Sequence, residues 1–154
     1  MEKDVKLSNE FMLSDFAYNP NPEFLQQNME YAKNTKGIIS RLIKTSVRAE
    51  EIQVILGKKI HIEKGIICPE VNNMLLDSSP TSWHLSGYAI DFTCEAFGSP
   101  YKICMDLMRG YFPFDRLYNE VTHVHCCIHE NYRMITRTLL QRGMPFAEGM
   151  LPWE

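Results

Sequence analysis

The chain has 154 residues, of which 45% are hydrophobic and 23% are charged, and its formal net charge is −3. This length suits one domain that buries a core without added staples, and the composition is that of an ordinary globular protein. The mild acidity argues against nucleic acid or an anionic membrane surface as a partner. We find no apolar secretory segment at the start and no run near the roughly 18 apolar residues of a membrane span. We therefore expect a protein made in the cytoplasm without a signal peptide.

The cysteines indicate a reducing compartment. Their number is odd, no CxxC pair occurs, and most are expected to act as small hydrophobic side chains. Cys126 and Cys127 are adjacent, so on a strand they would point to opposite faces and could not bond each other. The five cysteines are Cys68, Cys94, Cys104, Cys126 and Cys127.

The N-terminal half is predicted to be mainly helical. Residues 1–22 look like an irregular arm, because an Asn-Pro-Asn-Pro run interrupts them. Apolar residues then recur at helical spacing from Pro22 to Val47, with Gly37 as a point of weakness or bending. A second helical segment, Ala49 to Leu56, ends at Gly57, which is a suitable helix stop.

The C-terminal half is predicted to alternate strands with short helices. The expected strands are 58–63, Tyr88–Cys94, and either two strands or one hairpin over Phe114–Asn119 and Val121–Ile128. The expected helices are Pro69–Leu76, Pro100–Arg109 and Asn131–Gln141. The tail is expected to pack as an extended segment through Phe146, Leu151 and Trp153.

This order of elements favours an α+β fold, in which helices pack on one side of a small antiparallel sheet. We find no internal repeat, linker or low-complexity tract, so residues 1–154 are expected to form a single domain. Residues 129–154 would then be a C-terminal extension of that domain.

One predicted strand carries ionisable residues that a buried strand does not need. In the segment SWHLSGYAIDFTC, residues 82–94, His84 lies at the strand entrance and Asp91 lies inside the strand. A second predicted strand places His123 and His125 on one face. His84, Asp91 and His125 would offer two nitrogens and one carboxylate oxygen, which together with water suit a catalytic zinc ion. Because a His and Asp pair taken alone is more often structural, this prediction depends on the whole phrase.

That phrase resembles a known zinc motif. The ten residues from Ser82 to Asp91, SWHLSGYAID, match SxHxxGxAxD, the motif of the zinc D-alanyl-D-alanine carboxypeptidases and L-alanyl-D-glutamate endopeptidases. Many phage endolysins belong to this family, and it shares its fold with the Hedgehog signalling domain. The resemblance implies that His84 and Asp91 bind zinc, and that a later histidine, here His125, is the third ligand.

Three weaker segments support the same family, so the resemblance covers roughly residues 6–128. Residues 7–16 are similar to the LSxxFxLSE opening of its phage-type branch. Residues 69–72, PEVN, look like the segment after its SGYR turn, and residues 114–120, FDRLYNE, resemble its FDQLxxE strand.

The small residues of the motif have physical roles of their own. Gly87 frees the backbone for the bend into the strand. Ala89 shares a face with Asp91, so its small side chain leaves space near a metal. Ser82 could hydrogen-bond a ligand or substrate, or it could only cap the loop.

The chain departs from the family where substrate is recognised. The arginine of the SGYR turn contacts a substrate carboxylate, and the residue in its position here is Ile67. Isoleucine cannot form a bidentate pair with a carboxylate. Lys64 could supply a positive charge from another direction.

The second departure concerns the general base. Many members carry an acidic residue three positions before the last zinc ligand, and that position is Thr122, which cannot accept a proton from water. Glu120 lies five positions before His125, so on an unbroken strand it would face away and would need a bulge to reach the metal. His123 could act as a base, stabilise an oxyanion, or close the site as a fourth ligand.

Three functions therefore compete. We prefer an active zinc peptidase that cuts peptidoglycan stem peptides, encoded by a phage and acting at the bacterial cell wall after release. The alternative suggested by Ile67 and Thr122 is a zinc-binding relative with weak or no catalysis, which serves as a virion structural or wall-binding module. The third is a scaffold that no longer binds metal.

Overall fold

The computed structural model describes residues 3–75, 78–141 and 143–152. It is an α+β protein, and its described part contains five α-helices, a 3-10 turn at Trp83–Leu85 and one six-stranded sheet. The helices are α1 (Leu13–Phe16), α2 (Pro22–Asn34), α3 (Ile38–Leu56), α4 (Pro69–Asn73) and α5 (Pro100–Arg109). The strands are β1 (His61–Lys64), β2 (Ala89–Thr93), β3 (Arg116–Glu120), β4 (His123–Cys127), β5 (Ile135–Leu139) and β6 (Ala147–Glu148).

The sheet is mixed, so the prediction of a purely antiparallel sheet is wrong. Its strand order is β1-β2-β4-β3-β5-β6, and β3 pairs with β5 in parallel while the other neighbours are antiparallel. Strands β3 and β4 form a hairpin joined by the two residues Val121 and Thr122. After β3 the chain reverses at the hairpin and runs back along β4. It reverses again before β5, so β5 runs in the same direction as β3.

The helical segment predicted over Pro22–Val47 is present as two helices, because the chain breaks at Gly37, the residue predicted to weaken or bend it. That residue has φ +86°, a left-handed conformation that glycine adopts without a steric penalty. Helix α2 therefore ends at Asn34, and α3 runs without interruption to the left-handed Gly57. Arg48, the one residue between the two predicted helices, lies inside α3, which buries Thr45, Ser46 and Ala49.

The N-terminal arm, described from residue 3, has little regular secondary structure, but it contains one bridge and one short helix. Lys6 and Met12 form an antiparallel bridge, and α1 follows it directly. The Asp15 carboxylate accepts a 2.7 Å hydrogen bond from the Met12 amide, which fixes the start of the helix. The side chains of Leu13 and Phe16 are fully buried, so the arm is part of the core.

The helix predicted over Asn131–Gln141 is also wrong, because this segment contains β5. The positive φ values of Tyr132 and Met134 prevent a continuous helix, and the β-branched residues that follow suit a strand. The tail is extended as predicted and contributes β6, while Trp153 lies outside the described residues.

The remaining predicted elements differ from the structure only at their ends. Helix α5 has the predicted bounds Pro100–Arg109, and α4 ends at Asn73 instead of Leu76, which is itself outside the described residues. Each of the other strands lies within three residues of its predicted bounds.

The two faces of the sheet have different chemistry. One face is apolar and joins a single buried cluster with α3 and α5; its residues include Ile90, Phe92, Leu117, Val124 and Cys126. The opposite face, which we call the site face, carries Asp91, Tyr118 and His125. Every cysteine is free and buried. No helix in the described ranges is long and apolar enough to cross a membrane.

Candidate functional site

His84 is held in the 3-10 turn before β2. The Ser82 hydroxyl caps this turn by accepting a 3.3 Å hydrogen bond from the His84 amide. The capping role offered for Ser82 is therefore present, and its contact with a substrate remains a prediction. The His84 side chain is 5% exposed, so the turn places an imidazole inside the protein rather than on its surface.

Two helices hold the chain that follows His84. The carbonyl oxygens of residues 85–87 accept hydrogen bonds from Tyr31 Oη at 2.8 Å, Arg41 Nη1 at 3.3 Å and Thr45 Oγ1 at 2.6 Å, in that order. Each donor satisfies a carbonyl that the irregular turn leaves without a backbone partner. These positioning residues could not be predicted from the sequence, since nothing in their spacing connects α2 or α3 to the motif.

Two glycines, Gly65 and Gly87, let the backbone take the path that places the His84 imidazole. Gly87 has φ +83°, which supports the predicted need for glycine at the bend into β2. Gly65 lies against the N-terminal arm, where its amide donates to the Phe16 carbonyl at 3.0 Å. The Gly65 carbonyl in turn accepts a 2.9 Å hydrogen bond from His84 Nδ1.

The structure brings together the three residues that the motif selects. Asp91 and His125 are direct partners on β2 and β4, and His84 approaches from the turn. His84 Nε2 lies 3.1 Å from Asp91 Oδ1, and His125 Nδ1 lies 2.7 Å from the same oxygen. The ligand atoms of the three residues all lie within 4.8 Å of one another, so the group could hold a metal ion.

The Gly65 carbonyl decides which His84 nitrogen carries a proton. A carbonyl only accepts hydrogen bonds, so Nδ1 must be the protonated nitrogen, and in a neutral ring Nε2 then presents a lone pair. That lone pair faces Asp91 Oδ1, which is also an acceptor. The contact is favourable only if a proton or a metal cation lies between the two atoms, and a second-sphere carbonyl on the far nitrogen is typical of metal-binding histidines.

The charge state of Asp91 follows from its neighbours. Burial by itself would raise the pKa of this carboxyl, but the charges and hydrogen bonds of His84 and His125 hold the pKa well below its ordinary value. The residue is 6% exposed and ionised. A buried carboxylate of this kind needs a compensating cation.

Glu120 and His123 form a second pair beside this group, and they reach it without the bulge that the sequence analysis required. The tight turn at Val121 and Thr122 makes Glu120 and His123 direct cross-strand partners, so both side chains lie on the site face. Glu120 Oε2 is 2.6 Å from His123 Nε2, and His123 Nε2 is 3.5 Å from Asp91 Oδ2.

The Glu120 contact raises the pKa of His123. Burial acts in the opposite direction, but the contact of His123 Nε2 with the Glu120 carboxylate and the negative charges of Asp91 and Glu120 outweigh it, so the pKa lies above its ordinary value. Although the 2.6 Å distance is short, Nε2 is buried and lacks an aligned hydrogen-bond partner, so the contact is mainly an ion pair. On the other side of the ring, Thr122 Oγ1 lies 3.1 Å from Nδ1.

The two departures from the family motif have different consequences here. Ile67 is 2% exposed and packs with Cys68 and Val71, so it offers a substrate nothing but buried apolar surface. Lys64, by contrast, places Nζ 3.8 Å from Asp91 Oδ2 and is part of the site face. A positive charge is therefore present near the buried carboxylate, although it comes from β1 and not from the turn.

An aromatic wall closes one side of the site, and the sequence analysis did not find it. The Tyr118 ring lies 5.4 Å from the His125 ring, and its other neighbours are Phe146 at 5.1 Å and the Arg137 guanidinium at 5.6 Å. Lys64, Asp91, His125, Tyr118 and Arg137 form one cross-strand row. Pairing between β3 and β5 creates this row, and no local pattern in the sequence indicates that pairing.

Two cavities of the described chain lie away from the site face. One of about 420 Å³ and one of about 210 Å³ follow the N-terminal arm and the end of α3, with Glu10, Gln53 and Lys59 in both linings. Neither contains His84, Asp91 or a group of converging ligand atoms among the described residues. The converging ligand atoms lie on the site face instead, and a few well-placed polar groups of this kind give a binding site its specificity.

In comparisons with protein-family models, curated proteins and solved structures, none matches this chain. The described geometry must therefore carry any statement about function, since fold alone does not imply function. That geometry consists of a buried carboxylate, two histidines directed at one of its oxygens, and an adjacent carboxylate–imidazole pair.

Proposed function

We propose that this chain is a zinc metallopeptidase that hydrolyses peptide bonds in the stem peptides of peptidoglycan, as endolysins do. The observation that carries the proposal is the convergence of His84 Nε2 and His125 Nδ1 on Asp91 Oδ1. The resemblance of residues 82–91 to the zinc peptidase motif supplies the substrate class. The proposal places the protein at the bacterial cell wall after release.

The donor set fits zinc. Two imidazole nitrogens and one carboxylate oxygen are the ligands of many catalytic zinc sites, and three protein ligands leave a coordination position open. The Gly65 carbonyl keeps Nε2 of His84 free to bind a metal, as the 2.9 Å contact at Nδ1 requires. Zinc bound there supplies a Lewis acid that polarises a peptide carbonyl and makes water more acidic.

The residues beside the proposed ligands can handle the proton. Glu120 is the carboxylate that would accept a proton from the attacking water and deliver it to the leaving amine. His123, whose pKa is raised by Glu120 and Asp91, supplies a positive charge where negative charge develops on the carbonyl oxygen. Glu120 thus takes the role that Thr122 cannot perform, because the hairpin turn brings it to the site face.

The second candidate is a zinc-binding relative with weak or no catalysis, which acts as a phage structural or wall-binding module. The buried Ile67 favours it, since the family places a carboxylate-binding arginine at that position. Without that contact, a substrate with a terminal carboxylate loses a charge-assisted pair that typically contributes about 1.5–3 kcal/mol.

The test combines metal content with turnover. Wild type, His84→Ala and His125→Ala are analysed for zinc and then incubated with purified peptidoglycan, and newly released amino groups are measured. His61→Ala is the matched control, because His61 is an exposed histidine on β1 that pairs with Glu63 at 3.7 Å. We expect one zinc or more and amine release in wild type and in the control, and loss of both in the two site variants.

Other results would decide against the proposal. Zinc without amine release from any peptidoglycan preparation would favour the wall-binding or structural role. Equal amine release by wild type and His84→Ala would refute the zinc peptidase altogether. Absence of metal in protein purified without chelators, together with no zinc uptake on titration, would leave only the scaffold.

A further inference from the structure

The two carboxylate oxygens of Asp91 face different sets of side chains. Both histidine hydrogen bonds described for this residue go to Oδ1, from His84 and His125. Oδ2 instead faces His123 Nε2 at 3.5 Å and Lys64 Nζ at 3.8 Å, and both distances are too long for a good hydrogen bond. One oxygen of this buried carboxylate is therefore left with much weaker contacts than the other.

The side chains facing Oδ2 form a second set of potential ligands. Atoms of Asp91, Glu120 and His123 all lie within 4.8 Å of one another, and this is the other such group found among the described residues. Two ligand atoms that are each about 2.1 Å from one ion are at most about 4.2 Å apart. Side-chain rotations that move these atoms by less than about an ångström would therefore let all three bind one ion.

His123 supplies independent evidence for a missing partner. Its Nε2 atom is buried and has no aligned hydrogen bond, although two carboxylates stand beside it. The Thr122 hydroxyl, 3.1 Å from Nδ1, can accept the proton of that nitrogen. In a neutral ring with the proton on Nδ1, Nε2 would direct its lone pair towards Asp91 and Glu120, and a cation bound there would take the place of the proton that otherwise forms the ion pair with Glu120.

We propose that the site face holds a second divalent ion of the zinc class, bound by Asp91 Oδ2, Glu120 and His123, so that Asp91 bridges two ions. The inference rests on the zinc centre proposed above and adds a ligand set to it. When the second ion is bound, Glu120 and His123 are its ligands, and the ion then supplies the positive charge and acidifies the water in place of the separate roles given to these two residues above. One imidazole and two carboxylates suit zinc or manganese. Two-metal sites with a shared carboxylate occur in peptidases and phosphatases, where the pair of ions clamps the reacting oxygens.

Lys64 sets the relative affinity of the two positions. Its ammonium group is 3.8 Å from Oδ2, so it competes with the second ion and must turn towards solvent when that ion binds. The side chain is 37% exposed, which permits the rotation. The second ion is therefore expected to bind more weakly than the first, and Lys64→Met is expected to tighten it about fivefold, the effect of one unit charge at about 4 Å in water.

The experiment counts bound ions. Metal-free wild type, Glu120→Gln and His123→Phe are dialysed against a series of free zinc concentrations, and zinc per chain is measured at each. Glu63→Gln is the matched control, since Glu63 also faces a histidine on the sheet, His61, at 3.7 Å. We expect two zinc ions per chain in wild type and in the control, and one in each of the two variants.

A second readout locates the ions and does not depend on any variant folding. Crystals of zinc-loaded wild type, measured at the zinc absorption edge, are expected to give two anomalous peaks that flank Asp91, roughly 3.5–4 Å apart. One peak at His84, Asp91 and His125, with one ion per chain at saturating zinc, would overturn the inference. Two ions in wild type that persist in both Glu120→Gln and His123→Phe would overturn it as well, by showing adventitious binding elsewhere.

These outcomes are distinct from a failure of the proposed function. If wild type binds one zinc and hydrolyses peptidoglycan, the proposed peptidase stands and the second ion is refuted. If wild type binds two zinc ions, Glu120→Gln and His123→Phe bind one each, and wild type does not hydrolyse peptidoglycan, the two-metal site stands and the peptidase is refuted.

Discussion

Replacing Gly65 by alanine tests whether the N-terminal arm positions the candidate metal ligand. A Cβ atom at residue 65 would lie 2.6 Å from the Phe16 carbonyl oxygen and 2.8 Å from Phe16 Cδ1. Both contacts are closer than real Cβ atoms allow, and one of them is main chain that cannot rotate away. Because Phe16 is fully buried, the arm and the turn must separate, and overpacking of this kind costs about 1–3 kcal/mol.

The same separation moves the Gly65 carbonyl, which accepts the hydrogen bond from His84 Nδ1. We therefore expect Gly65→Ala to lose about 2 kcal/mol of unfolding free energy without metal. We also expect it to bind zinc at least about tenfold more weakly, as second-sphere changes at metal-binding histidines do. Urea denaturation of metal-free protein measures the first quantity, and a zinc titration against a competing chelator measures the second.

Gly110→Ala is the control, because a Cβ atom there meets Asp106 O and Ile55 Cγ2 at 3.2 Å and its φ of −77° suits any residue. We expect this variant to lose less than about 1 kcal/mol and to keep wild-type zinc affinity. If Gly65→Ala matched it in both measurements, the contact between Phe16 and Gly65 would have no part in positioning His84. Loss of stability with unchanged zinc affinity would show that the arm stabilises the fold but does not position the metal ligand His84.

Three further predictions concern the supports of the site and the rest of the sheet. Thr45→Val leaves the Gly87 carbonyl without its 2.6 Å donor, so urea denaturation should show a loss of about 1–3 kcal/mol. Ser46→Ala should lose less, about 1 kcal/mol, because the buried Ser46 hydroxyl bonds within its own helix. The Arg133 hydrogen bonds lower the pKa of Asp115, so this pair stabilises the fold above the unfolded pKa near about 3.9 and loses that effect as pH falls through the folded pKa. Asp115→Asn should therefore flatten the fall in urea midpoint between pH 5 and pH 3. A chelator should lower the melting temperature of zinc-loaded wild type, by up to the equivalent of about 4 kcal/mol at zinc concentrations 1,000 times Kd, and should lower that of His84→Ala by much less.

The parts of the site that lie on one segment were accessible from the sequence. The motif from Ser82 to Asp91 is local, and strand periodicity places Asp91 and His125 on faces that meet once the two strands pair. What the periodicity could not give is the turn between β3 and β4. A two-residue turn reverses the chain, so Glu120 becomes the partner of His123 instead of continuing along the same strand.

The wrong prediction of a helix over residues 131–141 has a related cause. The segment has helical spacing of its apolar residues, but its conformation depends on β3, which offers an open edge far along the chain. Pairing with that edge satisfies a row of backbone groups, and tertiary pairing of this kind overrides local propensity. Tyr31, Arg41 and Thr45 were missed for the same reason, because their partners are carbonyl groups, which leave no trace in the sequence.

Under the proposed function, the two departures from the family motif do not have equal weight. The missing acid at Thr122 is offset by Glu120, which the hairpin brings within 2.6 Å of His123 on the site face. The missing arginine at Ile67 has no such replacement in the same turn, because Ile67 is buried against α4. Proton handling is thus retained while recognition of a carboxylate from that turn is lost. A peptidase with this pair of properties is better suited to cutting within a stem peptide than to releasing its terminal residue, because only the second reaction requires a free carboxylate beside the scissile bond.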